Sequence, residues 1–297
     1  MPKKLKNKPD LQPVEPKYDL SLGEDELLSQ LSEKQGSILW LGKYTTDDIL
    51  RALQKAGIVQ ELDKKGLTPL LICIEPLDTF QQALKVYSRR IHPDHLLAEA
   101  RFRHVVFRPR PALPESFSAK RPEMLAIDWL MMQNPFARFT SERPPLPGQQ
   151  HPGLGVARKV LKLLKALAKS NGFAGILNFP QYFHNAYLYR QHFQFYHPAK
   201  EATLYALARD LEPLSISQMS WAIEGGCVIN RASGKPFEWE SDVQILPLSP
   251  EISRYFASEW YRTTYQTCWE QQHYVLDRDT FQKLMKTLKK QGESSHE

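Results

Sequence analysis

Cysteine is scarce in this 297-residue chain, and the three present, Cys73, Cys227 and Cys268, are odd in number and far apart. No pair has CxxC spacing, so a disulfide framework and a cysteine zinc site are both unexpected, and a reducing cytoplasm is the expected compartment. Long apolar runs are also lacking. No stretch approaches the roughly 18 residues that would span a bilayer, so no membrane partner is expected. The opening MPKKLKNKPDLQPVEP is charged with no apolar segment after it, which reads against a secretory leader. There is no internal repeat, no Walker loop, no G-x-S-x-G and no Rossmann fingerprint. The most informative scarcity is of acid: from Arg143 to Lys200 there is no Asp or Glu, while Arg143, Arg158, Lys159, Lys162, Lys165, Lys169, Arg190 and Lys200 all occur. Such a one-signed field attracts a polyanion.

What is present is enough for a sizeable core: 42% of residues are hydrophobic and 24% charged, a globular balance. The formal charge of +6 owes four units to Lys3, Lys4, Lys6 and Lys8. Residues 1–36 read as a disordered basic tail, with a short helix at Glu24–Ser32. Ser37–Gly42 reads as a strand. Thr45 to Asp48 carries helix-start chemistry before Ile49, Leu53 and Ile58, and Lys64-Lys65-Gly66 ends that helical region. Pro69–Pro76 has a buried-strand signature, and Leu84–Arg90 is an ambiguous strand. His92-Pro93-Asp94-His95 has turn chemistry, and its proline argues against aligned metal ligands. Leu96–Phe107 and Glu123–Asn134 read as two long strands of an antiparallel meander, joined by a proline-rich connection.

Phe136–Pro152 is a proline-rich loop. Leu154–Lys169 is the clearest helix, with Ala157, Val160, Leu161, Leu164, Leu167 and Ala168 on one face and its cations on the other. Asn171-Gly172 stops it. Ala174–Phe179 is a short strand, Tyr182–Phe193 an aromatic helix, Phe195-Tyr196 a further strand start and Ala202–Leu211 a helix. Residues 212–297 read as a separate extension: a hairpin with arms Trp221–Asn230 and Pro236–Leu246 turning at Arg231–Lys235, then helices over Ile252–His273 and Thr280–Lys290. Its tryptophans Trp221, Trp239, Trp260 and Trp269 leave three roles open: covering a cleft, completing the core or making a homodimer.

The chemistry concentrates at Gln150-His151-Pro152-Gly153-Leu154-Gly155-Val156-Ala157-Arg158. Glycines between a strand and an amphipathic helix let backbone approach a ligand. The first helical amides are unpaired, and the helix dipole adds about half a positive charge there. With Arg158, Lys159, Lys162 and Lys165 following, the segment suits a diphosphate and a further phosphate. The glycines alone are equally compatible with a tight helix entry.

Gln150-x-x-Gly153-x-Gly155 resembles the pyrophosphate loop of GNAT-superfamily acyl-CoA N-acyltransferases, and Asn185, Ala186, Leu188, Tyr189, Phe193 and Phe195 are similar to that family's signature helix. The likeness is specific over residues 123–196. It implies an α+β fold with a mixed, mostly antiparallel sheet flanked by helices. The GNAT-like domain would span 37–211 with a helical addition at its N-terminus. The resemblance implies acetyl-CoA or another acyl-CoA as donor and a small-molecule or peptide amine as acceptor. Gln150, His151, Gly153, Leu154, Gly155, Val156 and Arg158 would grip the diphosphate, with Asn185 beside the donor. Backbone around Leu130–Met132 would pair the pantetheine and polarise the thioester, between two strands that splay apart. Tyr189 matches the position of a general acid for the leaving thiolate. Asp128, Glu123 or His184 would serve as base. A GNAT-like binder without turnover is the second reading. Nucleic-acid binding ranks last, because the rest of the chain is near neutral.

Overall fold

The computed structural model describes residues 39–78, 81–108 and 121–294, with side chains described to residue 290. The basic tail, the Glu24–Ser32 helix and most of the 108–122 connection lie outside the described residues.

Where the described residues overlap the expected Ser37–Gly42 strand they form a turn: Trp40 and Tyr44 bridge across residues 41–43, and Leu41 takes a left-handed φ of 52°. Thr45 and Asp48 then form a reciprocal capping box that starts α1 (Thr46–Lys55). Gly57, at φ 68°, separates it from α2 (Ile58–Asp63). Four antiparallel strands follow: β1 (Leu70–Pro76), β2 (Gln82–Ser88), β3 (Leu96–Val106) and β4 (Glu123–Met132). β1 is a half-exposed edge strand and not the buried one its apolar run suggests. The expected turn between β2 and β3 holds a single 3-10 turn at Pro93–His95.

After the proline-rich loop come α3 (Ala157–Ser170), β5 (Gly175–Asn178), α4 (Phe183–Tyr189), β6 (Gln194–Phe195) and α5 (Pro198–Asp210). Next are α6 (Ile216–Glu224), β7 (Val228–Asn230), β8 (Gln244–Pro247), α7 (Pro250–Phe256), α8 (Glu259–Gln271), β9 (Tyr274–Leu276) and α9 (Arg278–Ser294).

The main sheet has the order β1-β2-β3-β4-β5-β8-β6, and β4–β5 is its one parallel pair. This is the expected α+β class with a mixed, mostly antiparallel sheet. Residues 212–297 are not a separate layer, however. β8 lies between β5 and β6, pairing Leu177 with Ile245 and Phe195 with Gln244. Of the three roles left open for this region, it completes the core. Tyr255 and Tyr261 donate their hydroxyls to the carbonyls of Tyr196 and Phe195 at 2.7 Å, tying α7 and α8 to β6. The expected hairpin survives only around its turn, with Ile229 bridged antiparallel to Pro236. Asn230 N–H donates to the Lys235 carbonyl at 2.9 Å and Phe237 N–H to the Val228 carbonyl at 2.7 Å, but β7 pairs as a strand with β9, and Trp221–Glu224 is the end of α6. The expected 252–273 helix is two helices, because Ser258 caps a new start.

Side chains on one sheet face, including Val105, Met124, Ala126, Leu177 and Ile245, pack beneath Tyr255 and Tyr261. The opposite face, with Phe102, Leu125, Ile127 and Ile176, packs beneath Leu161, Leu164 and Ala168 of α3.

Candidate functional site

β4 is longer than its parallel neighbour. The pairing with β5 ends at Ile127↔Asn178, whereas β4 continues to Met132 along β3. The edge of β4 from Asp128 to Met132 therefore has no strand opposite it on the β5 side. At the same place the register with β3 slips: Trp129 faces Arg101 while Ile127 faces Phe102, leaving Asp128 as an extra, bulged residue. A bulge bends a strand and increases its twist, so β4 diverges where β5 stops. Leu130 and Met132 are half-buried on this open stretch.

The loop that follows is clamped back onto the strand. Asn134 N–H donates to the Pro152 carbonyl at 2.7 Å, so Gly153 starts beside the end of β4, where a Cβ would stand 3.8 Å from the Met132 carbonyl oxygen. Leu154 and Val156 are then both buried, at 4% and 3% exposure, among Ile58, Leu62, Leu67 and Leu97. Gly155 makes that double anchorage possible. Its φ of 76° turns the chain between the two buried side chains, a conformation that costs any residue with a Cβ about 1–2 kcal/mol. This is also why α3 starts at Ala157 and not at Leu154. No side chain caps α3, and among the described residues no amide from Gly153 to Arg158 donates a hydrogen bond. Gly153 and Gly155 are exposed. The result is a run of unpaired donors at the positive end of a 14-residue helix.

The cations around this run are not those expected. Lys159 is committed to the N-terminal helices: its Nζ donates to the Gly57 carbonyl at 2.8 Å and lies 3.1 Å from Glu61 Oε1. That contact holds the Glu61 carboxyl below its ordinary pKa. Lys65, at the end of α2, takes its place. Its Nζ donates to the Leu154 carbonyl, and a Cβ on Gly155 would come within 3.0 Å of it. Nothing in the sequence marked Lys65, since it is 89 residues from its partner and sits in a helix-stop motif. Arg158 and Lys162 are exposed, and Lys165 lies 3.4 Å from His192 Nδ1. Gln150 is exposed and His151 half-buried at the loop entrance.

Tyr189 ends α4 and, like Leu130, packs against the core cluster beneath α3. Burial raises its phenol pKa, which keeps the proton on oxygen at neutral pH. Asn185 is half-buried on the same helix.

The three suggested bases are placed less favourably. Asp128 is gripped by Arg103, with Nε–Oδ2 at 2.5 Å and Nη2–Oδ1 at 2.9 Å, and Gln81 Nε2 is 3.4 Å away. Three donors thus share its two oxygens. His184 is 3% exposed, stacked on Tyr182 with ring centres 5.3 Å apart, and its Nδ1 has no partner. Burial pulls its pKa down to about 4, so the imidazole is neutral and weakly basic. Glu123 is exposed and lies 3.4 Å from His104.

The remaining motifs resolve locally. His92 caps its own 3-10 turn, and His95 accepts from Arg90 Nε at 2.9 Å. Among the described residues no three His, Cys, Asp or Glu side chains are grouped to hold a metal. Phe183, Phe193, Phe195 and Tyr196 are core, while Arg190 stacks on Tyr187 at 3.7 Å. No helix among the described residues is long and apolar enough to cross a membrane. No protein-family model and no curated protein matches this chain.

Proposed function

We propose that the chain is an acyl-CoA-dependent N-acyltransferase, moving an acyl group from a thioester to an amine. The observation that carries this reading is the meeting, at one sheet edge, of a strand without a partner and a loop of unpaired amides. β4 beyond Ile127 offers free backbone groups to an extended chain. Gly153 to Arg158 offers free N–H donors to phosphate oxygens, and two of its positions are glycines that hold no Cβ in the way. A diphosphate joined to an amide-bearing pantetheine arm has both kinds of acceptor. When bound, the thioester supplies an activated acyl carbon.

The chain's own residues then divide the work. Amides from Gly153 to Arg158, with Lys65 and Arg158 beside them, neutralise the phosphates. The open edge at Leu130–Met132 supplies a backbone donor for the thioester oxygen. Tyr189, held protonated, gives its proton to the departing sulfur. An amine that arrives uncharged needs no strong base, which fits the engagement of Asp128 and the burial of His184. The three free cysteines suit a reducing, cytoplasmic setting.

A second reading, binding without turnover, rests on the same engagement of Asp128 by Arg103, which leaves no free carboxylate among the suggested bases on β4 except exposed Glu123. Thiol release from acetyl-CoA across a panel of primary amines separates the two. Amine-dependent release supports the transferase, binding without release supports the second reading, and neither binding nor release rejects both.

A further inference from the structure

Where α3 leaves the candidate loop it carries Arg158, Lys162, Lys165 and Lys169. Steps of four, three and four residues place all four within about 60° around the helix axis, in a single ridge ~17 Å long. Arg158, Lys162 and Lys169 are exposed, and Lys165 is half-buried beside His192. Among the described residues none of the four reaches a carboxylate. Lys159, a quarter-turn away, is the cation of this helix that is paired, with Glu61. β5, α4 and β6 bring no acid, because the chain has none from 143 to 200. A solvated helix of this length ordinarily mixes its charge signs.

The ridge is longer than a diphosphate at the loop requires, since Lys169 stands eleven residues beyond Arg158. Its width is that of one helix, its outward positions are Arg, Lys, Ala166 and Ser170, and the ring beside it is the single His192, where a run of stacked bases needs several. A single file of cations is complementary to a single file of carboxylates on a partner's helix. The ridge also begins at the loop where an acyl donor's phosphate would sit.

We propose that α3 docks an acidic acyl-carrier protein, which presents its thioester on a phosphopantetheine arm with the arm's phosphate at Gly153–Arg158. This rests on the acyl-transfer reading and adds a second donor class beside acyl-CoA, one whose arm carries a single phosphate. The chemistry balances without any further reactant: the thioester C–S bond breaks, the C–N bond to the amine forms, and the amine's proton ends on the carrier thiol.

The test uses the full chain, a fluorescent holo-carrier protein of fatty-acid synthesis, CoA and a labelled DNA duplex. Ala166 and Lys169 are exposed and belong to neither the loop nor the cations assigned to its phosphates, so Ala166→Glu/Lys169→Glu leaves the phosphate site intact, and circular dichroism checks its fold. The expected result is carrier binding that weakens with salt and falls about ten-fold or more in the double variant, while CoA affinity stays within about two-fold. No carrier binding to the parent chain, or equal binding to the variant, overturns the proposal. Ridge-dependent DNA binding without carrier binding overturns it in favour of nucleic acid. Ridge-dependent carrier binding with no CoA binding supports the docking surface and tells instead against the loop as a diphosphate site.

Discussion

Arg103 and Asp128 join diagonally across the β3–β4 ladder in a two-pronged ion pair, at the residue where β4 bulges. Asp128 is 8% exposed and Arg103 27%. The pair lies on the face opposite Phe102, because Arg103 is the next residue along β3. Its carboxylate raises the Arg103 pKa further above its ordinary value. Removing the arginine leaves a nearly buried carboxylate unpaired. Arg103→Leu is expected to destabilise the fold by about 2–4 kcal/mol, and Asp128→Leu in the same chain is expected to recover much of it. Urea unfolding of the two variants and the double variant measures both.

Gly153 and Gly155 are expected to respond differently to alanine. A Cβ at Gly153 meets only ordinary contact, whereas at Gly155 it meets a left-handed φ and Lys65 Nζ at 3.0 Å. Gly153→Ala is expected to leave stability within about 0.5 kcal/mol, and Gly155→Ala to cost about 1–2 kcal/mol. Thermal melts of the two variants decide it.

Glu201 gives stability a pH dependence. It is 3% exposed, accepts one hydrogen bond from Phe195 N–H at 2.7 Å, and burial pushes its pKa up to about 7. The folded state therefore binds the proton more tightly than the unfolded chain does. This contribution is complete below the unfolded-state value near 4.5 and is lost as pH rises through 7. Glu201→Gln keeps an acceptor for Phe195 and removes the charge. It is expected to stabilise the protein at pH 8 by up to about 3 kcal/mol and to flatten the pH 5–8 profile.

His184 has the opposite sign. Its pKa is about 4 in the fold against 6.5 unfolded, so its contribution is present above 6.5 and lost as pH falls through 4. His184→Gln is expected to reduce acid destabilisation between these values. If the chain turns over, its rate profile should show no limb near 6.5 from this residue.

Tyr189→Phe keeps the ring against the α3-covered core and removes the phenolic proton. On the acid role proposed for it, kcat should fall about 10²-fold or more while CoA affinity holds within about two-fold, as steady-state rates and calorimetry would show.

Local signals were the legible part of this chain. The α1 start was readable from Thr45 and Asp48, because a capping box depends on residues three apart. The α3 body was readable because its apolar stripe has one period and one face. The true start at Ala157 was not, since it depends on Leu154 and Val156 reaching Ile58 and Leu67 nearly a hundred residues away. Gln244–Pro247 was legible only as the end of an expected hairpin arm over Pro236–Leu246, and its place between β5 and β6 comes from pairing across some 50 to 70 residues. The α6 helix carried an unread signal, the Ser215–Gln218 capping box. Around the candidate site the loop was legible from its glycines. Its cations were not: Lys159 turns to Glu61 and Lys65 arrives from α2, both long-range contacts.

Titration calorimetry of CoA against the parent chain and Gly153→Trp tests the central claim most directly. The indole would fill the space beside the Met132 carbonyl without disturbing the left-handed turn at Gly155. The expected result is micromolar binding to the parent and a loss of at least about ten-fold in the folded variant. No heat with the parent chain, or equal affinity in the variant, would contradict it.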